Sequence, residues 1–518
     1  MQTYTVRKAA VQSRHGLVAA QNRHAAEAGA AVLARGGNAM DAAVVTALVL
    51  SVMEPWLSGV GGGGFLLHAD GKSGAVNTLD FNVLAASGLK PADYPLAKTD
   101  SGNWFNWPAV EGDRNISGYT SICVPGAVAG FAAALERFGT LSWAEALEPA
   151  IGHAEAGLEL DWFACLSIAQ DAAALARYPA SARIFLDEGR PPRVADGGRP
   201  ARRPMPAKAK LLRRLAQAGA RDFYEGEVAQ MLARDLEAGG SAIRLPDLAR
   251  YQPAWHAPLV GHYGPWEVNA IAGLSGGPSF FEACESLQVA GLTRNTSKAD
   301  AALLYATAVR NAYEKRLTTM GHAASPQASC TSHVSVVDAT GSMVSLTNTQ
   351  LSRFGSRVVL PEAGFLMNNG MLWFDPRPGQ PNSIAPGAKP LANMCPLILK
   401  ADGVPCLAIG AAGGRTIFPT VLQILSYMAD FGLSLEEAFH TPRIDASTPT
   451  IRVNTLAGPE VAARIATQFP VDVVEDSLYP VMFAVPSAVQ RAGGTNTGMA
   501  HPFSPWAAVA VGGPADGR

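Results

Sequence analysis

Two threonines eighteen residues apart, Thr331 and Thr349, are the side chains whose types and spacing best suit chemistry. After the first, Ser332-His333-Val334-Ser335-Val336-Val337 alternates as a half-buried strand does. Ala339-Thr340-Gly341 reads as a turn, and Met343-Val344-Ser345-Leu346-Thr347-Asn348-Thr349 as the returning strand. Pairing Asp338 with Ser342 and counting outward sets Val336 opposite Val344 and Thr331 opposite Thr349. Directly opposed residues stand about 4.5–5.5 Å apart at Cβ, so the two hydroxyls would meet. One alcohol is a poor nucleophile; one oriented by a second at the start of a strand is a candidate catalyst. An exposed hairpin with Thr and Ser on one face explains the same residues with less, and the hairpin alone favours that simpler reading.

The surrounding elements must hold this hairpin in a large body. At 518 residues the chain exceeds one ordinary core, so two domains or one multilayer body is expected. An Ala-rich amphipathic helix over 24–35 stops at Gly36-Gly37. Asn38 caps a second helix, with Asp41 in its first turn, that ends before Pro55 and is apolar on nearly every side. Gly61-Gly62-Gly63-Gly64 then leads into the strand Phe65-Leu66-Leu67-His68. Phosphate-cradling loops run from strand to helix, whereas this one runs from helix to strand, so close backbone packing explains it better. The stretch 126–316 reads as mostly helical, with a loop-rich excursion over 179–209. A helix follows Gly413-Gly414 and ends at Gly432, and Ser434 with Glu437 forms a capping box. Ala507-Ala508-Val509-Ala510-Val511 reads as a buried strand. Helices, then strands, then helices again imply sheets covered by helical layers.

Composition excludes several classes. The net charge of −2 argues against nucleic acid as a partner. The six cysteines are scattered without a Cys-x-x-Cys pair, so neither a zinc site nor a disulfide framework is expected. The longest apolar stretch, 39–53, contains Asp41 and is short for a bilayer. The first sixteen residues lack a secretory apolar core, so a cytoplasmic protein without a membrane partner is expected. Charged residues make up only 16%, a lean surface that leaves room for a homodimer.

Ordered motifs carry the reading further. They are Gly36-Gly37-Asn38-Ala39-Met40-Asp41-Ala42-Ala43-Val44, Glu54-Pro55, Ser58-Gly59-Val60-Gly61-Gly62-Gly63-Gly64-Phe65, Val124-Pro125-Gly126, Phe138-Gly139 and Phe223-Tyr224-Glu225-Gly226. Asp247-Leu248 with Tyr251, Thr331-Ser332-His333, Ser335-Val336-Val337-Asp338, Asn368-Asn369, Gly413-Gly414 and Pro442-Arg443 complete them. Over nearly its whole length the chain resembles the γ-glutamyltranspeptidase (glutathione hydrolase) family of N-terminal-nucleophile hydrolases. The resemblance implies an α+β fold, a four-layer αββα sandwich, and a precursor that cuts itself before Thr331. A large subunit (1–330) and a small one (331–518) would result, with no metal or organic cofactor. The freed α-amine, with an ordinary pKa near 7.7–8.0, is able to take the proton of its own residue's hydroxyl. By the same resemblance Thr349 positions that hydroxyl, and Gly413 and Gly414 offer N–H groups to the oxyanion. For the glycines, a tight turn is an equally good account. Cutting one residue earlier would make Cys330 the nucleophile, but it lies outside the strand pattern. His333 reads as a packed structural histidine.

The departures from the family pattern concern the substrate. Asn82 stands where γ-glutamyl enzymes place an arginine on the donor carboxylate. Leu351 replaces an asparagine, Gly370 and Trp373 replace a glutamine and an aspartate, and Ala392-Asn393 replaces paired serines. Losing charged anchors from both ends of a zwitterion argues against γ-glutamyl transfer, and Trp373 with Leu351 would instead line a drier substrate pocket with fewer charges. The expected substrate is a small carboxylate-bearing amide, resembling that of oxamate amidohydrolase. Arg415, Arg353 or Arg357 would hold its acid, together with Asn82 or Asn393. A true γ-glutamyl enzyme, or a cephalosporin or glutaryl acylase, is the alternative.

Overall fold

The computed structural model describes residues 5–98, 107–195, 197, 199–322, 332–479 and 482–513. Its first helix pair follows from capping chemistry. Asn22 accepts the His24 N–H to open α1 (Arg23–Ala34), and Asn38 with Asp41 forms a reciprocal capping box opening α2 (Ala39–Met53). Every residue of α2 is buried, as its all-round apolar sequence requires.

Fourteen strands among the described residues build two stacked sheets. In chain order they are β1 (Val11–Ser13), β2 (Gly16–Ala20), β3 (Gly63–Ala69), β4 (Val76–Phe81), β5 (Ala254–His256), β6 (Leu259–Tyr263) and β7 (Trp266–Ala270). The second half supplies β8 (Ser332–Val337), β9 (Met343–Thr349), β10 (Leu397–Ala401), β11 (Val404–Ala412), β12 (Val485–Ala492), β13 (Thr495–Ala500) and β14 (Ala508–Gly512). One sheet runs β14-β2-β8-β9-β3-β4-β5 and the other β1-β13-β12-β11-β10-β7-β6. All neighbours in both sheets are antiparallel. The sheets pack through β8 and β9 against β11 and β12. Outside the first sheet lie α1, α2 and α3 (Ala127–Phe138). Outside the second lie α7 (Gly277–Val289), α8 (Lys298–Thr319) and α9 (Ile417–Ala429). This is the four-layer α/β/β/α body the sequence implied. Further helices α4 (Trp143–Ala156), α5 (Trp162–Leu175) and α6 (Pro206–Ala218) extend the first helical side. No helix among the described residues is long and apolar enough to cross a membrane.

The glycine run packs as expected from its order. A Cβ on Gly61 would stand 2.2 Å from Leu366 O, and one on Gly64 would stand 2.1 Å from Thr347 O. Three details differ from the sequence expectation. The region 126–316 contains β5, β6 and β7, which complete both sheets. The excursion after 179 opens on a short helix, Pro179–Phe185, and carries a strand, Ala201–Arg203, paired with Leu158–Leu160. Finally, β14 is only half-buried along most of its length, because it sits at a sheet edge.

Candidate active site

Strand register gathers the site at one end of the sandwich. Ser332 pairs with Asn348, and Val336 with Val344, the register counted from the turn. On one side Val334 pairs with Ala20, so Asn22 lies just past the same end. On the other, Thr349 pairs with Gly63 and Gly64 with Phe81, which brings Asn82 to that end too. The second sheet is keyed to the first by Ser345, whose hydroxyl donates to Ile409 O at 3.1 Å. The His333 ring packs on Gly410. Since β11 advances from Ile409 over Ser345 to Gly410 over His333, its continuation Gly413-Gly414 reaches the end where β8 begins. Asn393, ahead of β10 (Leu397 pairs with Ile409), reaches it as well. Cys330 and Thr331 lie outside the described residues.

Thr349 is fully held. Its Oγ1 accepts the Leu351 N–H at 2.7 Å, and its own N–H donates to Asn348 Oδ1 at 2.7 Å. One lone pair is thereby used while the hydroxyl proton stays available for donation. Leu351 reaches back only by adopting φ +75°, and Phe354 and Arg357 follow at +58° and +63°. Three non-glycine residues in the left-handed region within seven positions mark backbone strain beside the site. Trp373 stabilises that bend by donating its indole N–H to Leu351 O at 3.0 Å. Trp373 thus braces Thr349 through Leu351, and it is 1% exposed.

His333 is buried between Thr347 Oγ1 (3.0 Å) and Ser335 Oγ (2.9 Å), and burial pushes its pKa down to about 3. It is a neutral structural ring, as its strand position suggested. At the glycine pair, φ is 144° for Gly413 and 63° for Gly414. The Gly413 carbonyl accepts Thr416 N–H (3.2 Å) and Oγ1 (2.9 Å). A side chain on Gly413 would meet Ala484 Cα at 2.7 Å, so this turn requires glycine on conformational grounds alone.

Two of the residues expected to meet a substrate carry unmatched amides. Asn82 is completely buried, and neither its Oδ1 nor its Nδ2 has a hydrogen-bond partner. Its backbone is nonetheless fixed, the N–H by Asp80 Oδ1 (2.9 Å) and the carbonyl by Tyr251 OH (2.6 Å). Asp80 is itself paired with Lys389 at 2.7 Å. Asn393 Nδ2 is likewise buried and unmatched. Such groups each cost about 1–3 kcal/mol, which a ligand's polar atoms would recover. The arginines do not join them. Arg415 donates to Ser447 O and lies 4.8 Å from the Tyr313 ring centroid, and burial lowers its pKa. Arg353 and Arg357 both turn to Asp171. Each of the three guanidiniums expected to hold an anion thus already has a protein acceptor, which a substrate acid held there would have to share.

Sequence reading missed other polar atoms at this end. Ser332 Oγ, Ser58 Oγ and Gln350 Oε1 are buried without partners. Gln350 is tied to the glycine segment through Leu57 O, which accepts its N–H at 2.8 Å. Its place directly after Thr349 was the one available signal.

Known proteins share this chain's sequence pattern and fold. A family model described as Gamma-glutamyltranspeptidase matches residues 25–329 and 318–504. The Acylase ACY 1 proenzyme of Pseudomonas sp. (strain V22) is 33% identical over 482 residues, covering 85% of this chain and 84% of that protein. The Glutathione hydrolase proenzyme of Escherichia coli (strain K12) is 30% identical over 485 residues, covering 84% and 81%. Among solved structures, cephalosporin acylase from Bacillus halodurans shares the fold with a TM-score of 0.86, over 99% of this chain and 98% of that one, at 23% identity. The chain belongs to the gamma-glutamyltranspeptidase family and is an amide-bond hydrolase of the N-terminal-nucleophile type.

Proposed function

We propose that the chain cleaves itself between Cys330 and Thr331 and then hydrolyses a small carboxylate-bearing amide, oxamate-like in size, through an acyl-enzyme on Thr331. The relatives described as proenzymes support the processing step, and the two family-matched segments overlap at 318–329, just before the cut. In the cycle, the freed α-amine accepts the Thr331 hydroxyl proton as its oxygen adds to the amide carbon. The Thr349 hydroxyl orients the nucleophile, and N–H groups of Gly413 and Gly414 receive the oxyanion. The proton then passes to the leaving nitrogen as the C–N bond breaks, and water, deprotonated by the same amine, hydrolyses the ester.

The observation that carries the acyl specificity is Asn82. At the position where a γ-glutamyl donor requires a guanidinium there is a neutral buried amide with two unmatched atoms. With Asn393 it suits a compact acyl group bearing carbonyl or carboxylate oxygens. A second reading, an acylase of the cephalosporin or glutaryl type, draws on the 33% identity to the Acylase ACY 1 proenzyme, which supports acylase activity without naming the acyl group.

Purified protein should migrate as two fragments, the smaller beginning at Thr331 by N-terminal sequencing. Thr331→Ala should stay whole, while Cys330→Ala should still split. Oxamate, glutaryl amides and a γ-glutamyl anilide assayed in parallel decide the acyl group. Fast anilide turnover would overturn the Asn82 argument, and preference for the glutaryl amide would establish the acylase reading.

A further inference from the structure

A cavity of about 220 Å³ lies between the start of α1, the end of α2 and the start of α5. We propose that it binds a small organic ammonium ion, with Glu54 as counter-charge and Trp56, Phe163 and Trp506 as walls. The assignment is independent of the acyl chemistry; only the role given to the site rests on the proposed function.

Glu54 is 3% exposed, lines the cavity, and its Oε2 has no hydrogen-bond partner. It caps the C-terminal end of α2, where the helix dipole favours a cation. Asp161 adds a second carboxylate, oriented by the Ala164 N–H (2.8 Å) and the Trp506 indole N–H. Aromatic faces complete the enclosure. Trp506 stacks on Phe163 with centroids 3.8 Å apart, and Trp56 meets Phe163 edge-on at 6.0 Å. Carboxylates behind aromatic walls are the chemistry that selects ammonium ions.

The basic groups at the rim are already engaged. His24 pairs with Glu159 at 3.0 Å, Arg202 with the same carboxylate, and Arg23 with Glu27 at 3.3 Å. An anion would face Glu54 and Asp161 with no unengaged cation among these rim groups. Burial, reinforced by Asp161, holds Glu54 up to about 8, so at neutral pH it carries a proton that an arriving cation must displace. The cavity's place gives it a role. Asn22, on its wall, follows β2 beside the start of β8, whereas Asn82 lies beyond β9 and β3 on the opposite side. An amine held here stands across the nucleophile strand from the acyl pocket, where a leaving or accepting amine belongs.

Titration calorimetry of the purified enzyme with butylammonium chloride, and with 1-butanol as neutral control, tests this. Butylammonium should saturate one site and butanol should not. Below pH 8 its affinity should climb about tenfold per pH unit, because Glu54 must ionise first. The apparent heat should also change between phosphate and HEPES, a bulky tertiary-amine sulfonate unlike the proposed ligand, reporting the proton released. Glu54→Gln should weaken binding at least tenfold and remove both the pH dependence and the proton release. Should that variant fail to fold, the wild-type buffer dependence still decides. Equal binding of butanol, buffer-independent heat, or unaltered binding by a folded Glu54→Gln would overturn the assignment. Ammonium binding by a preparation without amide turnover would sink the catalytic reading and leave this site standing; turnover without binding would do the reverse.

Discussion

Replacing Gly62 by alanine tests whether the glycine run exists to let two backbones touch beside the nucleophile. The added Cβ would stand 1.8 Å from Thr349 O and 2.7 Å from Thr349 C. Carbon–oxygen contacts tolerate roughly 3.3 Å, so the segments must part by about 1.5 Å. Gly62 cannot retreat freely, because its carbonyl accepts the N–H groups of Gly126 (2.8 Å) and Ala127 (3.0 Å). Overpacking of this kind costs about 1–3 kcal/mol. The functional loss should be larger than the stability loss implies, since shifting the Thr349 backbone shifts its hydroxyl. Misplacing a catalytic group by about 1 Å costs on the order of a hundredfold in rate. Urea denaturation, the rate of chain splitting on a gel and amide turnover together measure both effects. Gly152→Ala is the matched control: it sits exposed inside α4 with no heavy atom within 4 Å of its absent Cβ. It should gain about 1 kcal/mol of stability and keep full turnover. A Gly62→Ala protein with the wild-type midpoint, splitting rate and turnover would refute the close-approach argument.

Three further outcomes follow from buried polar groups. Asn82→Leu should hold or raise stability, by up to roughly 1–2 kcal/mol, as an unmatched amide disappears; turnover should fall at least tenfold, and a marked stability loss would show that Asn82 is structural. Lys208 is buried at Ser51 O, and burial pulls its pKa down to about 7. The unfolded chain therefore binds more protons between pH 7 and 10.5, and wild-type stability should rise through that window. Lys208→Met should be more stable than wild type by a few kcal/mol, roughly, at pH 7, with the gap closing toward pH 10 in parallel denaturation curves; a gap independent of pH would refute the burial account. His333, held down to about 3, stays neutral when folded while the unfolded chain protonates below 6.5. Stability should fall as pH drops from 6.5 toward 3, and a His333→Asn curve should be shallower by about 1.4 kcal/mol per pH unit. Equal slopes would mean the ring is protonated in place.

Local chemistry was legible where it was complete within a few residues. The hairpin register followed from alternation plus one turn, and the caps at Asn38 and Ser434 followed from side chains that bond their own first turn. The strands β5 to β7 were not legible. Their partners lie far away in sequence, Thr78 for His256 and Leu397 for Ala270, and tryptophan, histidine and glycine interrupt their alternation. The positions of Asn82, Trp373 and Asn393 came from the family resemblance, but their working did not. That Trp373 grips Leu351, and that Arg415 turns to Ser447, depends on side-chain direction, which neighbouring residue types leave open. Glu54 shows the same limit: in the sequence it marks the end of a helix, and only the packing of α5 and the 505–506 segment makes it the acid of an aromatic cavity.

The two flanks of the nucleophile strand differ in a way that constrains the reaction. Toward β4 the end of the first sheet presents neutral amides whose ion pair, Asp80 with Lys389, is satisfied internally. Toward α1 it presents carboxylates and aromatic rings. A zwitterionic γ-glutamyl group needs a cation and an anion on the same flank, within one amino acid's span. Here the carboxyl groups Glu54 and Asp161 stand across β8 from Asn82, and the three candidate cations are turned to Asp171 and Ser447. Under the function and the ammonium site proposed above, this division of groups between the flanks suits a substrate whose acyl part is small and whose amine part is positive. Converting such a site to γ-glutamyl chemistry would therefore require more than restoring an arginine at Asn82. Its charge would enter a pocket with no unpaired carboxylate among the groups named above, at a desolvation cost of several kcal/mol, and the donor's ammonium would still have no carboxylate on its own flank.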